Sequence, residues 1–343
     1  MPVTLQDVAK LARVSTKTVS RVVNNQSEIS EETRQRVQAA IEQLGYQPNF
    51  LARSLVSRRS NTLAVVAWGL EYYGGPLRTV VGIQRQADEL GYSLLLQLVQ
   101  HPSDMDFNAV LGTLVARQVD GIVWAIPEIG DNRMWFQSKR LMQLPPMIFL
   151  SMQSRPGMSV IAANNRLGAA QATQHLLDLG RRKIGLITGP LDWWEARERR
   201  DGWYGALMQA GLEPLPALMV EGDWSPASGE RGLDLLLSRR PDLDAVFVSN
   251  DQMALGVLRV AQKLGRRVPQ DLAVVGFDNI PESGFFCPPL TTVYQRMTEV
   301  GCAAVEQLHK IIQARQQGRE ATDPVTILLA TELVIRASSV AES

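Results

Sequence analysis

Histidine and cysteine are scarce in this 343-residue sequence: His101, His175 and His309 are the three histidines, Cys287 and Cys302 the two cysteines. The cysteines form no close metal-type or redox pair and the histidines are scattered, which excludes a metal cluster readable from spacing. All five read as structural residues, an unpaired cysteine being most often a small buried hydrophobe. Long apolar runs are missing too. Stretches such as Leu94-Leu95-Leu96 are far too short to cross a bilayer, so no membrane partner is expected. The N-terminus opens into polar, helix-compatible sequence with no apolar stretch ahead of a cleavage site, and the expected compartment is the cytoplasm. Low-complexity tracts, long charge blocks, a phosphate loop and a nucleophile–base set are likewise missing. A non-enzyme without a cofactor is the expectation, in a chain long enough for two or three domains.

Net charge is absent as well, with 35 basic and 35 acidic residues. Taken alone, that balance argues against a nucleic-acid partner. Its distribution reverses the argument. Residues 1–60 carry nine lysines and arginines (Lys10, Arg13, Lys17, Arg21, Arg34, Arg36, Arg53, Arg58, Arg59) against Asp7, Glu28, Glu31, Glu32 and Glu42. The head is therefore +4 and the body −4, the asymmetry of a chain that meets phosphate at one end only.

Within that basic head, three short helices are predicted. Thr4 caps the first, with Asp7 in its first turn and Leu5, Val8, Ala9, Leu11 and Ala12 at helical spacing. Ser15 caps a second over about Thr16–Val23, whose Val19, Val22 and Val23 face inward and leave Thr16, Lys17, Ser20 and Arg21 outward. Ser30 with Glu31-Glu32 starts a third, which Gly45 stops. The pattern is a helix-turn-helix whose second helix enters a major groove about 12 Å wide. Thr16, Lys17 and Arg21 are the candidates for base contact, because Lys and Arg can pair with guanine and Thr offers a hydroxyl and a methyl. Thr4, Ser15, Ser20, Asn24 and Asn49 are candidates for phosphate contact, which fixes register without reading sequence. Without further support the same residues describe a small solvated helical bundle.

Val3-Thr4-Leu5-Gln6-Asp7-Val8-Ala9, then Val14-Ser15-Thr16-Lys17-Thr18-Val19-Ser20-Arg21-Val22-Val23-Asn24, and finally Gly45-Tyr46-Gln47-Pro48-Asn49 supply that support. These motifs resemble the headpiece and hinge junction of the LacI/GalR family of transcription regulators. Arg13 departs from the pattern, standing where the family often has Gly in the turn. Pro48 cannot continue the preceding helix and Asn49 can cap a new one. The short segment after it is too small to be a stable helix alone. By the resemblance it is a hinge helix that pairs across a homodimer, with Leu55 wedged into the minor groove, Ala52 beside it and Arg53 near phosphate. Read from the residues only, it is a plain linker.

From residue 61 short apolar runs alternate with amphipathic helices. Strands are expected at Leu63–Trp68, Leu94–Val99, Gly121–Ala125, Met147–Leu150, Ile184–Thr188, Ala245–Ser249 and Ala273–Phe277. Helices fit between them, among them Leu77–Leu90, Leu167–Leu179 and Met253–Leu264, which end in Gly91, Gly180 and Gly265. Repeated βαβ units imply parallel sheets covered on both faces. The resemblance continues over the full length and implies an α/β fold: a helix-turn-helix headpiece (1–46), a hinge (47–60) and a two-lobed, periplasmic-binding-protein-like core (61–340). Its N-lobe would hold about 61–162 and 292–324, its C-lobe about 163–291 and 325–340, with crossings near 162, 291 and 324.

By the same resemblance Arg199, Trp224, Asn250, Asp278 and Gln295 fall on sugar-contacting positions. Ser151 departs from it, standing where a carboxylate would face the sugar, and the loop Trp68–Arg78 differs too. The chemistry suits a polyol: Arg gives a fork of donors, Asp paired acceptors, Asn both, and Trp an apolar face for a pyranose. Singly, each of these is an ordinary surface or capping residue. The implied activity is a repressor of a near-palindromic operator, its two recognition helices about 34–36 Å apart, controlled by a small-molecule effector. No heptad repeat follows Ile335-Arg336, so a dimer is expected rather than a coiled-coil tetramer. Rival readings are a purine- or nucleotide-responsive regulator of the same family and a solute-binding transport protein.

Overall fold

A computed structural model describes residues 3–23, 29–46, 60–70, 74–100, 102, 105–132, 144–319 and 323–341. The chain divides into two compact units, Met1–Asn61 and Thr62–Ser343.

In the first unit, α1 (Leu5–Ala12), α2 (Thr16–Val23) and α3 (Glu31–Leu44) form where their caps dictate. Thr4 and Asp7 build a reciprocal capping box, the Asp7 carboxylate accepting from Thr4 N (2.8 Å) and Oγ1 (2.7 Å). Ser15 Oγ accepts from Thr18 N at 3.1 Å and starts α2. Ser30 caps α3, and Gly45, at φ 60°, ends it. Val8, Ala9, Ala12, Val19, Val22, Val37, Ala40 and Tyr46 close a small core between the helices. Arg13 sits at φ 54° and ψ 47°, the left-handed region that favours glycine. A side chain there costs about 1–2 kcal/mol. Asn24, Asn49, Ala52, Arg53 and Leu55 lie outside the described residues.

The second unit consists of two sheets. One contains β1 (Thr62–Ala67), β2 (Ser93–Leu98), β3 (Gly121–Ala125), β4 (Met147–Leu150), β5 (Ser159–Ala163) and β11 (Thr326–Leu329), all parallel, in the order β11-β5-β4-β3-β1-β2. Alternation along β1 sends Leu63, Val65 and Ala67 to one face, where α4 (Gly74–Glu89) and α10 (Met297–Gln316) cover them. Ala64 and Val66 go to the other, under α5 (Phe107–Ala116).

The other sheet contains β6 (Ile184–Thr188), β7 (Met219–Glu221), β8 (Ala245–Val248), β9 (Ala273–Asp278), β10 (Thr291–Tyr294) and β12 (Glu332–Val334), in the order β12-β10-β9-β8-β6-β7. Only β12 runs antiparallel to its neighbour. Its helices are α6 (Asn165–Asp178), α7 (Trp194–Gln209), α8 (Pro226–Arg239) and α9 (Asp251–Lys263). Both sheets thus belong to the parallel-sheet α/β class expected. The chain crosses between lobes after β5, after β10 and between β11 and β12. The last two crossings correct the expected positions near 291 and 324: Thr291 pairs with Val275 of β9, and Thr326 with Val160 of β5, so those ladders carry each segment one strand further.

Candidate functional site

Ignoring the peripheral strands, each sheet has a switch in strand order, between β1 and β3 in the N-lobe and between β6 and β8 in the C-lobe. Crevices for ligands open at the carboxyl ends of strands at such switches. A cavity of about 920 Å³, its mouth included, opens there and is lined from both lobes. Ala67, Trp68 and Ala125 come from the ends of β1 and β3, and Asn250 follows β8. All six effector candidates, Ser151, Arg199, Trp224, Asn250, Asp278 and Gln295, line this one cavity.

Its polar floor is organised around Arg199, which is almost fully buried. The guanidinium donates to Asn165 Oδ1 (2.8 Å), to the Ser249 carbonyl and to Asp278 Oδ1 (3.5 Å), and lies over the Phe277 ring at 4.0 Å. Gln295 Nε2 donates to the same Asp278 oxygen at 2.5 Å. Burial pushes the Asp278 carboxyl up to about 6 against the pull of Arg199. Asn250 is less free than the sequence implied. Its Oδ1 caps α9 by accepting from Met253 N (2.9 Å), and its Nδ2 donates to the Trp224 carbonyl (3.0 Å), which leaves one N–H for a ligand. Ser151 (φ 54°), Trp224 (φ 69°) and Asp278 (φ 111°) all hold left-handed backbone without being glycine. Strain of about 1–3 kcal/mol per residue, gathered at one cleft, is the pattern of a ligand site. Gly189 makes room for the Trp224 indole: a Cβ there would stand 2.1 Å from it.

The walls are aromatic and acidic. Trp68 and Trp193 have ring centroids 5.6 Å apart at 53°, and Trp193 and Trp224 are 5.6 Å apart at 70°. Glu195, in the first turn of α7, lines the same cavity; burial pushes its carboxyl up to about 7. Outside the cavity a clasp joins the lobes. Glu128, from the segment after β3, is fully buried and accepts from Arg155 Nη2 and from Arg197 Nη2 of α7, each at 2.9 Å. Backbone bonds Trp194 N to Glu128 O and Gly130 N to Asp192 O, both 3.0 Å, flank an antiparallel bridge between Ile129 and Trp193.

On the headpiece, Thr16 and Lys17 are exposed at the start of α2, while Ser20 and Arg21 are half-buried. The hydroxyls of Thr4 and Ser15 already act as caps, so any phosphate they meet competes with those local bonds. Among the described residues no group of His, Cys, Asp and Glu could hold a metal ion, and no helix is long and apolar enough to cross a membrane.

Residues 4–49 match the model of bacterial regulatory proteins of the lacI family, and residues 173–339 that of a periplasmic binding protein-like domain. The Lactose operon repressor of Escherichia coli (strain K12) is 33% identical over 327 residues, covering 95% of this chain and 89% of that one. This chain belongs to the lacI family. Other LacI-family relatives are the Ribose operon repressor of the same strain (37% over 330 residues, covering 94% and 97%) and the repressor PurR of Aliivibrio salmonicida (34% over 318 residues, covering 92% and 94%). Among solved LacI-family structures, the Lac repressor dimer bound to operator and the anti-inducer ONPF superposes with a TM-score of 0.83 at 33% identity, covering 99% of this chain and 100% of that one. A CelR–cellobiose complex does so with a TM-score of 0.72 at 33% identity, covering 98% and 99%. LacI-family members are DNA-binding transcription regulators, not enzymes. The motif reading missed Asn165 and Glu195 as parts of this LacI-family cleft, and Glu128 as the centre of the clasp beside it. Glu195 reads as an ordinary acid in a first helical turn, and Asn165 as part of a helix start.

Proposed function

We propose that this LacI-family chain is a repressor whose operator affinity is set by a sugar or glycoside bound between the two lobes of its core. The observation that carries the reading is the convergence of Arg199, Asn250, Asp278 and Gln295 with the indole of Trp224 on one interlobe cavity. Paired donors and acceptors beside an aromatic face are what adjacent ring hydroxyls and a C–H face require. CelR, a relative of similar fold, is complexed with cellobiose. In this reading Thr16, Lys17 and Arg21 read bases. Thr4, Ser15, Ser20, Asn24 and Asn49 hold phosphates, and Leu55, with Ala52 and Arg53, acts at the minor groove between two copies of the chain.

Ligand spanning the cavity favours one interlobe arrangement, and a coupling of about 1–3 kcal/mol is enough to change operator affinity several-fold or more. The test is a thermal-shift screen of glycosides against purines, because a ligand that binds the native state raises its melting point with concentration. A glycoside that raises it and releases the protein from an operator duplex supports the reading. Stabilisation by purines alone would transfer the assignment to the purine-responsive branch, to which PurR relatives and the indole walls also point.

A further inference from the structure

We propose that the ligand of the interlobe cavity is a sugar bearing an amino group, its cationic nitrogen seated against Glu195 and the indoles of Trp68 and Trp193. The inference rests on the sugar reading above for the polyol part and goes beyond it in charge. Oε2 of Glu195 is buried and has no hydrogen-bond partner, in a residue that lines the cavity. A carboxylate oxygen without a donor inside protein is costly, and a ligand N–H is the strongest way to satisfy it.

The charged groups around Glu195 are already engaged. Arg199, one turn along α7, is tied to Asn165, the Ser249 carbonyl and Asp278. Arg197 and Arg155 both close on Glu128. Among the described residues no ion pair joins Glu195. Arg199 and Asp278 balance each other within the cavity, so an ionised Glu195 leaves it with one uncompensated negative charge.

The indoles add the second half of the argument. Inclined at 53° and 70° to their neighbours, they form walls rather than a flat platform. One sugar ring needs one flat face. Trp68 and Trp193 add inclined indole surface to the cavity wall, and Trp is the best of the aromatic side chains for a compact cation, while the Trp224 ring already has the Arg199 guanidinium 5.5 Å from its centroid.

Titration calorimetry on the full chain tests this with glucose, glucosamine and N-acetylglucosamine, the corresponding β-1,4-linked disaccharides, and choline as a sugar-free cation. The amino sugars should bind about tenfold tighter than both the neutral and the N-acetyl forms. In Glu195→Gln that ratio should fall to near one, and Trp193→Leu should reduce it. A melting curve for each variant establishes that it is folded. Neutral or N-acetyl sugars binding as tightly as the amino forms would overturn the proposal while leaving the sugar reading standing, as would a preference that survives Glu195→Gln. Choline binding lost in Glu195→Gln, with no sugar bound, would overturn the amino-sugar assignment and the polyol reading together, leaving a bare cation site. Binding of none of these probes would overturn both.

Discussion

Replacing Glu128 by Ala should loosen the joint between the lobes without touching the cavity floor. The carboxylate is fully buried and accepts from Arg155 Nη2 and Arg197 Nη2, both at 2.9 Å, and from Gln153 N at 3.1 Å. Removing one side of a buried charge pair typically costs about 3–5 kcal/mol, because the remaining charges stay desolvated. Here the two guanidinium side chains are 27% and 28% exposed, so water recovers part of that loss. An expected destabilisation of about 2–3 kcal/mol follows. Glu128→Gln, which keeps the shape and one acceptor, should lose about half as much. The two main-chain bonds of the clasp survive both changes, so the fold should persist. Urea unfolding followed by tryptophan fluorescence reads the core, and the headpiece transition must be fitted separately because the chain has two compact units. A double-mutant cycle with Arg197→Ala should then return a coupling above about 1 kcal/mol. A loss below about 0.5 kcal/mol for Glu128→Ala would refute the idea that this carboxylate fastens the lobes.

Arg21→Ala should weaken operator binding and relax base preference at one position of each half-site, read by selection from a random duplex pool; unchanged preference removes Arg21 from the base-reading set. Asn250→Ala should abolish the effector response while operator binding is kept, and should also cost about 1 kcal/mol because the residue caps α9; an intact response would mean that the cavity is not the effector site. The carboxyls of Asp278, Glu195 and Asp251 are raised by burial to about 6, 7 and 8. At these three sites the native state therefore holds more protons than the unfolded chain between about pH 4 and 8, and across that range they make stability fall as pH rises. His175, held below its ordinary value by burial, opposes this near its own titration. The clean observable is therefore a difference: Glu195→Gln should gain stability relative to the parent as pH rises from about 5 to 8, and a flat difference contradicts the buried-acid assignment.

The parts of the fold that were legible in the sequence were those in which a local rule and the tertiary fold agree. Ser15, Ser30 and Gly45 bound α2 and α3 because capping is a local transaction between neighbouring residues. Gly121–Ala125, Met147–Leu150 and Ile184–Thr188 are strands over the expected residues, since unbroken apolar runs of that length suit sheets covered on both faces. Ser159–Ala163 was not anticipated as β5: it is fully buried, but its alanines run directly into a helix start. Thr326–Leu329 was not either, because as an edge strand it is mostly exposed and has no apolar alternation.

The cavity was legible on its C-lobe side, where motif positions supplied Arg199, Trp224, Asn250 and Asp278. What escaped were pairings that exist only after folding. Glu128 and Arg197 belong to different lobes, Asn165 meets Arg199 across a helix pair, and Trp68 reaches Trp193 from the opposite wall. The double duty of Asn250, cap and cavity residue together, also had no sequence signature distinct from capping alone.

The most direct test of the account is one titration: fluorescence anisotropy of the full chain on a duplex selected from random sequence, with and without a glycoside that raises its melting point. The account expects a near-palindromic duplex to be enriched, bound more tightly than random DNA, and its affinity to shift when the glycoside is added. Failure to retain any duplex at low salt would contradict the DNA-reading role. An operator affinity indifferent to a bound ligand would contradict the coupling between cavity and headpiece.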